Sequence, residues 1–298
     1  MKKKTKSQPK HKQTKSKRSK KRTPKSRDPK TVVFKRSLFY SVCLFALYQF
    51  MIVPLRLRYY PVFWLVSLAG FGAVVAMLLY SGVSEYYKSV GSSIKHIRKK
   101  VWLERTVHHM IMPILLYTSG VLFLFFNNVR ILDQMAVITL TGLFGVLLHN
   151  ISTTYLKQYS ISRKTLYIFD FINIITFYFA MDVLMNLVIY EGGSIISICI
   201  GSGIISSLLI GMMLAIARQI SSTTLILLLV SSVIVGLASY VVLLVPIFSI
   251  SVLSLVVTVV FYLVDVFFHH KLDGSYNWDI MSQYILFAIM AIILLLYL

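Results

Sequence analysis

Residues 222–268 read STTLILLLVSSVIVGLASYVVLLVPIFSISVLSLVVTVVFYLVDVFF, 47 residues with a single charge, Asp265. As one helix this stretch would run about 70 Å, more than twice the hydrocarbon thickness of a bilayer. It must fold back on itself. Pro246 has no N–H to continue a helical ladder and is the natural break. Two membrane spans follow, about Ser222–Val245 and Phe248–Phe268, with almost no loop between them.

The same signal recurs on both sides. Toward the N-terminus the apolar runs are about Leu38–Leu55, Pro61–Ser81, His109–Asn127, Leu132–Leu156, Thr165–Ile189 and Ser194–Ala217. Toward the C-terminus, after the polar loop His269–Trp278, a last run covers Asp279–Leu298. The sequence therefore predicts an all-α, polytopic transmembrane helix bundle of about nine spans. Eight is the alternative if the two spans around Pro246 form a re-entrant pair. The chain is 57% apolar, against about 45–50% for a soluble domain. With nearly everything after Lys30 in spans or short loops, a soluble domain is excluded.

Charge gives the orientation. Threading the spans from a cytoplasmic N-terminus puts 28 of the 31 Lys and Arg residues inside, and only Arg56, Arg58 and Arg130 outside. Lys and Arg collect on the cytoplasmic side of membrane proteins, so an N-in, C-out topology is expected. The reading divides the chain into a cytoplasmic tail over 1–36 and a membrane domain over 37–298. Residues 1–30 hold fifteen Lys or Arg and one acid, Asp28. Such a segment cannot bury a core and is expected to be disordered. The first apolar run lacks a small-residue cleavage site and is read as a retained span.

Two partners follow for the basic segments. The lipid bilayer is one. The other is the anionic lipid of the inner leaflet, held by the tail, with RNA as the alternative. Lipid is favoured because the tail is tethered at the bilayer and has no aromatic residue between Met1 and Lys30 to stack on bases. In the loop after the second span, Val90, Ile94, Ile97 and Val101 fall on one helical face. Lys95, Arg98, Lys99 and Lys100 surround them, and Trp102 is an interface residue. This predicts an amphipathic helix over about 92–106 lying on the membrane surface. A solvated basic loop is the plainer reading.

Charge inside a span is the default pointer to function. Asp170 lies roughly 8 Å and His149 roughly 10 Å from the cytoplasmic edge, counted at the helical rise. They sit on consecutive antiparallel spans, so a hydrogen bond between them is expected, with Asn150 and Asn173 nearby. Asp265 and His269 stand i,i+4 on one face at the same level. His149, Asn150, Asp170, Asn173, Asp265 and His269 thus form a candidate polar cluster. Its plainer reading is a set of helix–helix hydrogen bonds. Asp182, near the other end of its span, is expected to serve a structural ion pair or hydrogen bond.

Gly203, Ser207, Gly211 and Ala215 repeat every fourth residue, which makes a smooth face for a close helix contact. A flexible gate is the functional alternative.

Enzyme motifs are lacking. There is no H-E-x-x-H, no pair of His at i,i+4, no phosphate-cradling glycine loop and no Walker lysine. Gly201-Ser202-Gly203 lacks the preceding glycine of an intramembrane serine-protease turn. Cys43 and Cys199 have neither metal nor disulfide spacing. No catalytic residue, metal or cofactor is expected.

Phe261-Tyr262-Leu263-Val264-Asp265, then His269-His270-Lys271-Leu272-Asp273-Gly274 and a final span, resembles uncharacterised multi-span bacterial membrane proteins. The resemblance covers the last third of the chain and implies a bacterial cytoplasmic membrane but no mechanism. The leading function is non-enzymatic: small-solute transport, or organisation of partners at the inner leaflet. The alternative is an intramembrane enzyme acting on a lipid or lipid-linked substrate through His149, Asp170, Asp265 and His269.

Overall fold

A computed structural model describes residues 29–90, 99–127, 129–156, 163–190, 192–217, 222–244, 249–272, 274 and 277–297. Among these residues there are nine helices and no strand: α1 (Pro29–Arg56), α2 (Tyr60–Val90), α3 (Lys99–Phe126), α4 (Arg130–Leu156), α5 (Arg163–Tyr190), α6 (Ile195–Ala217), α7 (Ser222–Leu243), α8 (Ile250–Leu272) and α9 (Trp278–Tyr297). Eight of the nine are long and apolar enough to cross a membrane, and the described apolar part of α3 is the shorter Met110–Phe126. In lipid every backbone polar group must be satisfied within its own segment, and helices do that. The protein is an integral, multi-pass helical membrane protein.

The long apolar stretch breaks between Leu243 and Ile250. Each half is long and apolar enough for a full crossing, Thr223–Leu243 and Ile250–Lys271, which favours two spans over a re-entrant pair.

Two helix pairs can be followed residue by residue, and both run antiparallel. On α1 and α4, Phe34 meets His149, Gln49 bonds Gln134 and Arg56 pairs with Asp133. On α5 and α8, Asp170 bonds His269, Phe177 stacks on Phe261, and Ser254 Oγ donates to Met185 Sδ. Helix α5 is central: it packs on α3, α6 and α8, and 61% of its membrane-length core is buried. Helix α9 is peripheral. It packs on α8, and only 11% of its core is buried.

The outer faces are apolar. Leu38, Phe39 and Val42 of α1, Ile226 and Leu229 of α7, and Phe287 of α9 are more than half exposed. A surface of that kind calls for lipid rather than water.

Helix α6 comes closest to its neighbour. A Cβ on Gly203 would stand 2.9 Å from the Ser232 carbonyl oxygen, and one on Gly236 would stand 2.9 Å from that of Cys199. The missing side chains let α6 and α7 touch backbone to backbone. Ser232 Oγ then donates to the Gly203 carbonyl at 2.7 Å, and Ser239 Oγ donates to Ser202 Oγ at 2.9 Å. Ser207 Oγ lies 2.5 Å from Ser232 Oγ, and a Cβ on Gly211 would make only ordinary contact with Leu228. The side chain of Ala215 lies outside the described residues.

Two helix ends are closed by left-handed residues. Gly192 has φ +69°, and the Gly193 N–H donates to the Val188 carbonyl at 2.7 Å, which caps α5. At the end of α1 the same geometry falls on Arg58, with φ 58°, and the Tyr59 N–H donates to the Pro54 carbonyl at 2.8 Å.

Candidate functional site

The helix period puts Asp265 and His269 on one face of α8. Antiparallel packing brings that face against the first turns of α5, where Asp170 stands. Asp170 Oδ1 lies 3.0 Å from His269 Nε2. One ligand-type atom from each of Asp170, Asp265 and His269 falls within 4.8 Å of the others. Helix α6 contributes Met213, whose Sδ lies 2.8 Å from the same His269 Nε2.

The three groups are graded in depth. The side chains of His269 and Asp170 are 24% and 14% exposed, while Asp265 is 1% exposed. The cluster has a partly exposed rim and a buried floor. Asn173, three residues beyond Asp170 on α5, is also buried. The Oδ1 atoms of Asp265 and Asn173 have no hydrogen-bond partner. Among the described residues neither Asp170 nor Asp265 has a Lys or Arg partner. Two carboxylates therefore face one imidazole in a membrane interior, where an uncompensated charge is expensive.

His149 is not part of this arrangement; Asn150 follows it on α4. The expected His149–Asp170 hydrogen bond is not formed, because α4 turns that face toward α1. The His149 ring meets Phe34 edge-on at 6.1 Å, and its Nδ1 has no hydrogen-bond partner. Both residues lie at one end of a lateral apolar groove of about 520 Å³ between α1 and α4, lined also by Leu38, Val42 and Ile138. Depth along a span does not fix which way a side chain faces; helix packing does.

Lys95 and Arg98 lie outside the described residues. The backbone at Lys99, Lys100 and Trp102 is the start of α3, continuous with the span, and their side chains are likewise outside. Residues 1–28 are outside as well. Cys43 and Cys199 are free thiols.

Sequence reasoning missed four residues that the structure brings into polar contacts. Met213 carries no polar signal inside an apolar helix. Asp133 stands next to the start of its span, where an acid carries no signal of burial. In the structure its side chain is 1% exposed, paired with Arg56 and accepting from Asn127 Nδ2 at 2.7 Å. Gln49 and Gln134 bond each other at 2.7 Å one helical level away. The signal for both was a polar residue at matching depth on α1 and α4. Asp182 stays at this far end, where Asn186 Nδ2 donates to its Oδ2 at 2.9 Å.

The class defined by this fold is a polytopic helical membrane protein with an ionisable cluster inside the bundle. The chain matches no protein-family model, no curated protein and no solved structure.

Proposed function

We propose that the protein carries a small cation across the membrane, and that Asp170, Asp265 and His269 are the groups that hold it. The observation that supports this reading is the meeting of three ionisable side chains from two separate helices inside membrane spans. Intramembrane acids that face the bundle interior mark ion and substrate paths. With carboxylates outnumbering the imidazole, the site favours a cation. Its rim–floor gradient gives that cation a way in from one end. The enzymatic alternative is weaker, since the polar centre that it requires has lost His149 to the α1 face.

The test is electrical. Full-length protein in proteoliposomes is adsorbed on a solid-supported membrane and perfused in turn with Na⁺, K⁺, Mg²⁺ and Mn²⁺ at matched ionic strength. At least one ion is expected to give a capacitive current that Asp265→Asn abolishes. No current with any of the four, or a current unchanged by Asp265→Asn, would overturn the reading.

A further inference from the structure

The donor set around His269 is more specific than a negative charge requires. It joins carboxylate oxygen from Asp170 and Asp265, imidazole nitrogen from His269 and thioether sulfur from Met213. We infer that Asp170, Asp265, His269 and Met213 form a coordination site for a divalent first-row transition ion. The inference rests on the cation-carrier reading for its place in function, but not for its chemistry.

Geometry is the first support. Oxygen and nitrogen ligands sit about 2.0–2.2 Å from such an ion and sulfur about 2.3 Å, so neighbours in one coordination shell are roughly 3 Å apart. Asp170 Oδ1 and Met213 Sδ lie 3.0 and 2.8 Å from His269 Nε2. Asp265 offers an oxygen within 4.8 Å of the Asp170 and His269 ligand atoms.

Proton accounting is the second. His269 Nε2 carries at most one proton, yet a carboxylate oxygen and a thioether sulfur, both acceptors, converge on it. One N–H serves one of them well. An ion among the three atoms serves all of them, with Nε2 presenting its lone pair.

The third is an independent vacancy in the hydrogen bonding. Asp265 is 1% exposed and its Oδ1 has no partner, and the same holds for Asn173 Oδ1 one helical turn from Asp170. Buried polar atoms are almost always paired. An unpaired acceptor oxygen on buried Asp265, inside a cluster of acceptors, points to a cation as its partner.

Ligand type then selects the ion. Carboxylates alone suit Mg²⁺ and Ca²⁺, whereas imidazole and thioether donors suit the softer, later ions. Met213 is the residue that separates the two classes.

The test is equilibrium binding, with no flux required. Full-length protein without a histidine tag is titrated in detergent with Co²⁺, whose visible d–d spectrum reports coordination. One Co²⁺ per chain is expected in the spectrally shifted form, undisplaced by a hundredfold excess of Mg²⁺. Asp265→Asn and Asp170→Asn should each weaken it by about tenfold or more, since even second-layer changes at metal sites cost that much. Met213→Leu, which keeps the volume, should reduce the preference for Co²⁺ over Mg²⁺. Displacement by equimolar Mg²⁺, no shifted spectrum in the parent chain, or parent-like affinity in Asp265→Asn would overturn the inference. If an aspartate variant does not fold, the parent titration and Met213→Leu decide. Co²⁺ binding without any current leaves the site standing and removes the carrier reading. A current with Na⁺ or K⁺ and no Co²⁺ binding does the reverse.

Discussion

Arg56 and Asp133 are unequal partners. The arginine side chain is 31% exposed, whereas the aspartate is 1% exposed. Removing the arginine leaves a carboxylate in a dry site with only Asn127 to hold it. Removing the acid leaves a long cation that can reach toward water. Breaking a buried pair costs about 3–5 kcal/mol when the remaining charge is stranded. Arg56→Met is therefore expected to destabilise by about 3 kcal/mol and Asp133→Asn by roughly half as much. Thermal unfolding in detergent ranks the two, and the reverse order would show that Asp133 is better solvated than its burial implies. At this scale the sequence was partly legible. The i,i+4 relation of Asp265 and His269 follows from the helix period alone. Depth along a span also follows from residue count. Azimuth does not, and that is why His149 was paired with the wrong helix. A thioether in an apolar run, as at Met213, leaves no trace until its neighbours are known.

The α6–α7 contact shows how an element-level feature depends on absent atoms. Both Gly203 and Gly236 face a carbonyl oxygen of the opposite helix, and backbone cannot step aside as a side-chain tip can. Overpacking usually costs about 1–3 kcal/mol. Gly236→Val belongs at the upper end, because relieving it means separating the helices and losing the Ser232–Gly203 and Ser239–Ser202 hydrogen bonds. A melting temperature within a degree of the parent's would show that α7 shifts without cost. Helix number was legible because run length against bilayer thickness has few solutions. The ends were less so. Helix α2 continues to Val90 and α3 already begins at Lys99, well past the apolar cores, because a helix need not stop where the lipid does.

For the whole molecule the expectation to test first is orientation. The charge asymmetry predicts that the α4–α5 connection is cytoplasmic and the α5–α6 connection external. Single cysteines at positions 160 and 192, in a chain with Cys43 and Cys199 replaced, should differ toward an impermeant thiol reagent. Position 192 should label from outside and 160 should not; labelling of 160 would invert the bundle. The basic N-terminal stretch is a second test. Each Lys or Arg near an anionic leaflet is worth about 1 kcal/mol and is screened over roughly 8 Å at physiological salt. A peptide of residues 1–30 should bind anionic vesicles, ignore neutral ones and be released by salt. Salt-insensitive binding would remove the electrostatic account.

The stacked pair Phe177 and Phe261 has a consequence for voltage. Their rings lie 4.2 Å apart and 6° from parallel, fully buried between the Asp170 level and the Asp182 level. If Asp170 lies at its expected depth, roughly 8 Å into a core of about 30 Å, a cation held there has crossed only about a quarter of the membrane field. One charge across the whole field is worth about 2.3 kcal/mol per 100 mV, so occupying the site draws on about 0.6 kcal/mol of it. The other three quarters of the potential drop falls across the aromatic layer and the far half of the bundle. Loading should be nearly indifferent to membrane potential, and any step that carries charge past the two rings should be steeply dependent on it.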